Sequence, residues 1–173
     1  MNMLGRKFLV ETPFKWYTKF KLHRSDRSEV AKALISVKND LFLIKRATYE
    51  NESAVHNQTT LYSRFSNPDE RNPICIASYE YYGMCQDRKE GTLDLCISHY
   101  LFQYGGTSFG LDVYHNALRG LAILNQDYQQ DRALPTFLDI KREITNDPSY
   151  SNVALTHVKF TDDNNYQTNT QSE

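Results

Sequence analysis

The chain has little of what would place it in several broad classes. Its three cysteines, Cys75, Cys85 and Cys96, form no close pair. They fit neither a disulfide framework nor a Cys-x-x-Cys zinc knuckle. Cys75 and Cys96 lie in apolar, strand-like runs, where reduced core cysteines are expected. No apolar run reaches spanning length, and Met1–Val10 lacks the apolar centre of a signal peptide. The expected location is therefore cytoplasmic, without a membrane, and the Asn-x-Ser/Thr matches at Asn51 and Asn57 carry no meaning as glycosylation sites. The formal net charge is only −1, so no global excess points to nucleic acid or an anionic surface. Neither an internal repeat nor a second domain is visible.

What is present points to β-structure. Hydrophobic residues make up 40% of the chain, with 12 Tyr and 9 Phe among them, a composition that suits strands packed on a core. At 173 residues the chain can bury such a core without staples. Length predicts one domain, over residues 1–160, and the polar, Asn- and Gln-rich composition of 161–173 predicts a disordered tail.

The most informative stretch runs from Asp94 to Asp127. Two β-type runs, Leu95–Tyr104 and Thr107–Tyr114, flank Gly105-Gly106, a pair that reads as a hairpin because both positions accept positive φ. Alternation puts Phe109, Leu111 and Val113 on one face and Gly110, Asp112 and Tyr114 on the other. Leu118–Asp127 reads as the next strand. Upstream, Arg6–Val10 is a short strand. Phe14–Leu22 alternates Lys15, Tyr17, Lys19 and Lys21 against Trp16, Thr18, Phe20 and Leu22, a strand with a basic face. A helix is predicted over Ser28–Val37, with Val30, Ala33, Leu34 and Val37 on one side. Leu41–Tyr49, Thr60–Phe65 and Ile74–Tyr82 read as strands, with a loop over 50–59, a turn cluster over 66–73 and a charged hairpin connection over Met84–Gly91. Pro135 is predicted to open a helix ending near Ile144, and Val153–Phe160 to form a last strand.

The segment HYLFQYGGTSFGLDVYHNALRGLAIL resembles the late strands of the CYTH, or triphosphate tunnel, family. Members read Arg-Tyr, Tyr-Gly-Gly, Glu-x-Asp-Val-Phe, then Gly-Leu and a Glu-x-Glu strand. A second block, Leu134-Pro135, Phe137-Leu138 and Glu143–Leu155, is similar to the family's Leu-Pro, aromatic, Glu-Val-Thr-x-Asp and Tyr-x-Asn ending. The resemblance covers Asp94 to Leu155. It implies an α+β, mainly β fold: an antiparallel, roughly eight-stranded closed barrel with a few peripheral helices. Its lumen would bind a triphosphate-bearing small molecule between basic side chains, with magnesium or manganese held by glutamates if the protein is active.

The family's first strand carries Glu-x-Glu-x-Lys. Two registers fit here, Met3-Leu4-Gly5-Arg6-Lys7 and Tyr17-Thr18-Lys19-Phe20-Lys21. Both keep the lysine and lack the glutamates. Gly110 and Asp112 stand where the family has Glu-x-Asp, Asn125 and Asp127 where it has Glu-x-Glu, and His99-Tyr100 where it has Arg-Tyr. The resemblance thus implies Arg6, Lys7, Lys19, Lys21 and Arg64 as phosphate contacts, Asp112 and Asp127 as metal ligands, and His99 as the catalytic candidate. Such a protein would bind, and if active cleave, a nucleotide, thiamine triphosphate or inorganic triphosphate. The alternatives are a catalytically inactive interaction protein of the same fold, or a single-strand nucleic-acid binder using the Lys15–Lys21 face. The near-neutral charge argues against the last. Arg142-Glu143 reads as a surface pair.

Overall fold

Gly105 and Gly106 take φ of 57° and 77°, so the hairpin expected at this pair forms. It joins β6 (Leu95–Tyr104) to β7 (Thr107–Tyr114) in an antiparallel ladder running from Ile97↔Tyr114 to Tyr104↔Thr107. The computed structural model describes residues 5–11, 26–36, 40–49, 58–65, 74–127 and 133–157. The Phe14–Leu22 strand, the 66–73 turn cluster, most of the 50–59 loop and the 161–173 tail lie outside these residues.

Among the described residues the other strands are β1 (Arg6–Val10), β2 (Asp26–Ser36), β3 (Asp40–Tyr49), β4 (Gln58–Phe65), β5 (Ile74–Ile76), β8 (Ala122–Gln126) and β9 (Ile140–Glu143). The helices are α1 (Ser78–Met84) and α2 (Asn152–Thr156), with three 3-10 turns. The fold is mainly β, with hydrogen-bonded order β5-β4-β3-β2-β6-β7-β8-β1-β9. This order has two ends and contains no β5–β9 pairing that would close it. None of the described helices is long and apolar enough to cross a membrane.

Several elements differ from the sequence expectation, among them the Leu118–Asp127 strand, which is shortened to Ala122–Gln126 after a 3-10 turn over Asn116–Leu118. The helix expected over Ser28–Val37 is, over its described residues 28–36, part of strand β2. Its Val30, Ala33 and Leu34 match helical spacing by coincidence. Ser28 and Val30 are buried as an alternating pair, and Ala33, Leu34 and Ile35 are buried consecutively, so pairing and burial override local propensity. The Ile74–Tyr82 strand stops at Ile76, and α1 follows. Glu80 accepts a hydrogen bond from the Ala77 N–H at 2.8 Å, a helix-start signal present in the sequence three residues into the element. Pro135 opens a turn, and Ile140–Glu143 pairs with β1. The Val153–Phe160 strand is replaced over its described part by α2, capped by Ser151 Oγ accepting from the Ala154 N–H at 3.1 Å. Asp147 fixes the preceding turn by accepting from the Ser149 N–H. Between β5 and β6, the expected hairpin connection contains the end of α1 and a 3-10 turn. Cys75 is exposed, not a core residue, and all three cysteines are free.

The described residues fall in two compact units, one within Met1–Glu29, Thr48–Thr59 and Ile97–Asn146, the other within Val30–Ala47, Thr60–Cys96 and Asp147–Glu173. In the first, Phe8, Val10, Tyr100, Phe102, Phe109, Leu111, Ala122, Leu124 and Leu138 make the core, with Leu134 and Phe137 packed against it. Phe109 is fully buried, and truncation of such a ring costs about 3–5 kcal/mol. In the second, Ala33, Ile35, Leu43 and Tyr81 pack together with Tyr62, Ile76, Met84 and Cys85. Lys45 Nζ donates to Tyr82 Oη at 3.2 Å there, and that bond raises the lysine above its ordinary range.

Arg6 grips Glu143 with two parallel hydrogen bonds, Nε to Oε1 at 3.0 Å and Nη2 to Oε2 at 2.8 Å. Thr145 Oγ1 adds a third to Oε1 at 2.6 Å. The guanidinium first, then the hydroxyl, pull the carboxyl down to about 2. A depressed carboxyl contributes stability above its unfolded value and loses it as pH falls through the folded one. Because the pair is solvent-exposed, Glu143→Gln should cost no more than about 1 kcal/mol near neutrality. The gap between the two proteins should narrow as pH drops from about 4.5 towards 2. Urea unfolding of both proteins across that range checks it.

Candidate functional site

Residues directly opposite in an antiparallel ladder share a face. His99, Asp112, Ile123 and Leu9 therefore form one row across β6, β7, β8 and β1, and Leu101, Gly110, Asn125 and Lys7 form the adjacent row. Leu9 also opposes Arg142, which brings that side chain to the same face. The other face carries Tyr100, Phe102, Phe109, Leu111, Leu124 and Phe8, all core. One face of this unit thus carries the aromatic and aliphatic core, and the other carries Lys7, His99, Asp112 and Asn125.

The charged side is built around a carboxylate. Asp112 Oδ1 lies 2.6 Å from His99 Nδ1. Asn125 Nδ2 donates to Oδ2 at 2.9 Å and to the Gly110 carbonyl at 3.4 Å. The imidazole fits because residue 110 has no side chain: a Cβ there would lie 2.7 Å from His99 Cε1. The His99 and Asp112 side chains are 22% and 19% exposed, so the pair is sheltered yet reachable. On the same face, next to the pair along the strands, Ile97, Tyr114 and Ile123 are buried. Burial first, and the Asp112 charge second, push the Tyr114 phenol well above its ordinary range.

Of the residues singled out in the sequence, Lys7, Asp112 and His99 are brought to this face. Lys7 is exposed, its backbone N–H bonded to Thr145 Oγ1 and its carbonyl accepting from the Ile144 N–H. Lys7, of the first register, lies opposite Asn125; Lys19 and Lys21 of the second lie outside the described residues. Arg6 belongs to the opposite face and is held by Glu143. Asp127 is exposed just past β8, its N–H donating to the Ser108 carbonyl at 3.4 Å. Arg64 lies on β4 in the second unit, where its buried Nε has no hydrogen-bond partner.

Magnesium and manganese need several oxygen ligands in tight geometry. At the positions where the resemblance implies carboxylates, Gly5 and Gly110 have none, Asn125 offers an amide, Asp112 has a hydrogen-bond partner at each oxygen, and Asp127 stands exposed beyond the end of β8. Nor could Gly5 accept a side chain in place, since its Cβ would lie 2.1 Å from the Gln126 carbonyl oxygen. No group of three His, Cys, Asp or Glu stands together among the described residues. These residues do not fit the divalent-metal site.

Sequence reasoning missed three features. Asn125 counted as a lost glutamate, yet it is the second clamp on Asp112. Arg142, taken for half of a surface pair, shares the face of Lys7. Ser98, on the core side of β6, lies 2.9 Å and 3.0 Å from the two Glu29 oxygens and 2.6 Å from His115 Nε2. Only the pairing register could reveal these. The Ser98 cluster is not a nucleophile set, because the carboxylate holds the serine and not the histidine.

Gly110→Ala should drive the His99 ring off Asp112, shifting the His99 imidazole resonances and lowering stability by about 1–3 kcal/mol. NMR of the imidazole nitrogens with urea unfolding tests this; unshifted resonances would contradict the packing described.

No protein-family model matches the sequence, and no curated protein matches it. Solved structures do. A crystal structure of the inorganic triphosphatase NE1496 superposes with a TM-score of 0.58 at 19% identity, covering 91% of this chain and 95% of that one. Another structure of NE1496, described as a hypothetical protein, gives 0.57 at 19% identity, covering 90% and 98%. The likeness is one of fold and extends over about nine-tenths of the chain, including the residues 94–155 that carry the resemblance.

Proposed function

We propose that this chain is a divergent CYTH-like tunnel protein that binds a triphosphate-bearing small molecule on the face carrying Lys7, His99, Asp112 and Asn125. The observation that carries the reading is their diagonal row across four adjacent strands, at the positions where the resemblance implies a lumen. Closure of the strands around the ligand belongs to this proposal, as does a cytoplasmic location. Lys7 supplies a fixed cation for phosphate oxygens, and Arg142 a second on the same face. Inorganic triphosphate, a nucleoside triphosphate and thiamine triphosphate share the group recognised. Two-metal cleavage of the phosphoanhydride is not proposed, because the described carboxylates do not make that site.

Melting of the full chain with each of these three ligands tests the proposal. A ligand at about 100 times its dissociation constant stabilises by about 2.7 kcal/mol, a rise of roughly 5–10 °C for a chain of this size. Lys7→Ala should weaken the response about tenfold in ligand concentration. No rise with any of the three would overturn the reading.

A further inference from the structure

The tunnel reading brings with it the expectation of a divalent cation, and the residues around Asp112 on this face are built for something else. A metal bridging this face to phosphate oxygens would need carboxylates on neighbouring strands with free lone pairs. Asp112 has His99 at one oxygen and Asn125 at the other, so both oxygens are turned to protein partners and a metal would compete with each. Residue 110 could contribute a carboxylate only through a Cβ that would press on the His99 ring at 2.7 Å. The ring thus fills the approach that a longer side chain at 110 would need, and the carboxylate that holds it is the one a metal would take. Removing a cation from an anion site leaves charge to be met by protein groups, and Lys7 and Arg142 stand on the same face.

We infer that this face binds its phosphate-bearing anion without a divalent cation, the His99–Asp112–Asn125 cluster occupying the place of the metal and the basic side chains of β1 and β9 meeting the charge. The inference rests on the triphosphate-binding reading for its ligand class, but its statement about metal can be judged alone. Asp112 acts here as a positioning residue for the imidazole. Because Nδ1 is turned to Asp112, Nε2 is the ring atom left to meet a phosphate oxygen.

Two measurements on the full chain decide it. Inorganic triphosphate is titrated calorimetrically in EDTA and again in excess magnesium. Manganese alone is then added to the ligand-free chain while the electron paramagnetic resonance signal of the free ion is followed. Magnesium is expected not to tighten triphosphate binding, and the manganese signal to stay undiminished. His99→Ala should weaken binding in EDTA by at least about tenfold; His99→Gln serves if the alanine variant does not fold. Binding that tightens more than about tenfold with magnesium, manganese uptake by the ligand-free chain, or undiminished affinity in a folded His99 variant would overturn the inference. Absence of triphosphate binding in every condition would remove the ligand class instead, and the manganese measurement would still judge the metal.

Discussion

A 2.6 Å contact between His99 and Asp112 organises the polar side of the first unit. A sheltered carboxylate is costly unless its oxygens are paired, and each neighbour follows from that demand. Asn125 donates to the second oxygen, a task a glutamate in its place could not perform without setting two like charges together. Gly110 leaves room for the ring beside the same carboxylate. Three of the residues that depart from the resemblance, His99, Gly110 and Asn125, are thus not a scatter of losses. They compose one hydrogen-bonded arrangement, and each supports the others.

The second constraint is the two-residue period of a strand. Arg6 and Lys7 are neighbours of the same charge with opposite fates. Arg6 turns to the core side, over the Phe8 ring at 4.9 Å and into the Glu143 carboxylate, where it fastens β1 to β9. Lys7 turns to the polar side opposite Asn125. One arginine holds the strand, and the next residue faces the polar side. A slip of one residue in the β1–β8 register would exchange these roles.

Much of this was legible in the sequence where the signal is local. Gly105-Gly106 announces its hairpin, and the alternation from Phe109 to Tyr114 assigns faces that the pairing reproduces. Local signals failed where long-range pairing decides. Val30, Ala33 and Leu34 match a helix as readily as a buried strand, and only neighbouring strands choose between them. Pro135 suits a helix start, but Ile140–Glu143 gains more by pairing with β1. The candidate site was legible at Lys7, Asp112 and His99 through the resemblance. The clamping role of Asn125 and the face of Arg142 were not, since both are set by register between distant segments. The cost of a Cβ at Gly110 likewise depends on a ring that arrives from another strand.

The most direct test of the account is a crystal structure of the chain grown with inorganic triphosphate and manganese, using the metal's anomalous signal. The account predicts phosphate oxygens beside Lys7 on the polar face, the His99–Asp112 contact intact, and no anomalous peak at Asp112. Manganese bound to Asp112 with His99 displaced from Gly110 would contradict it.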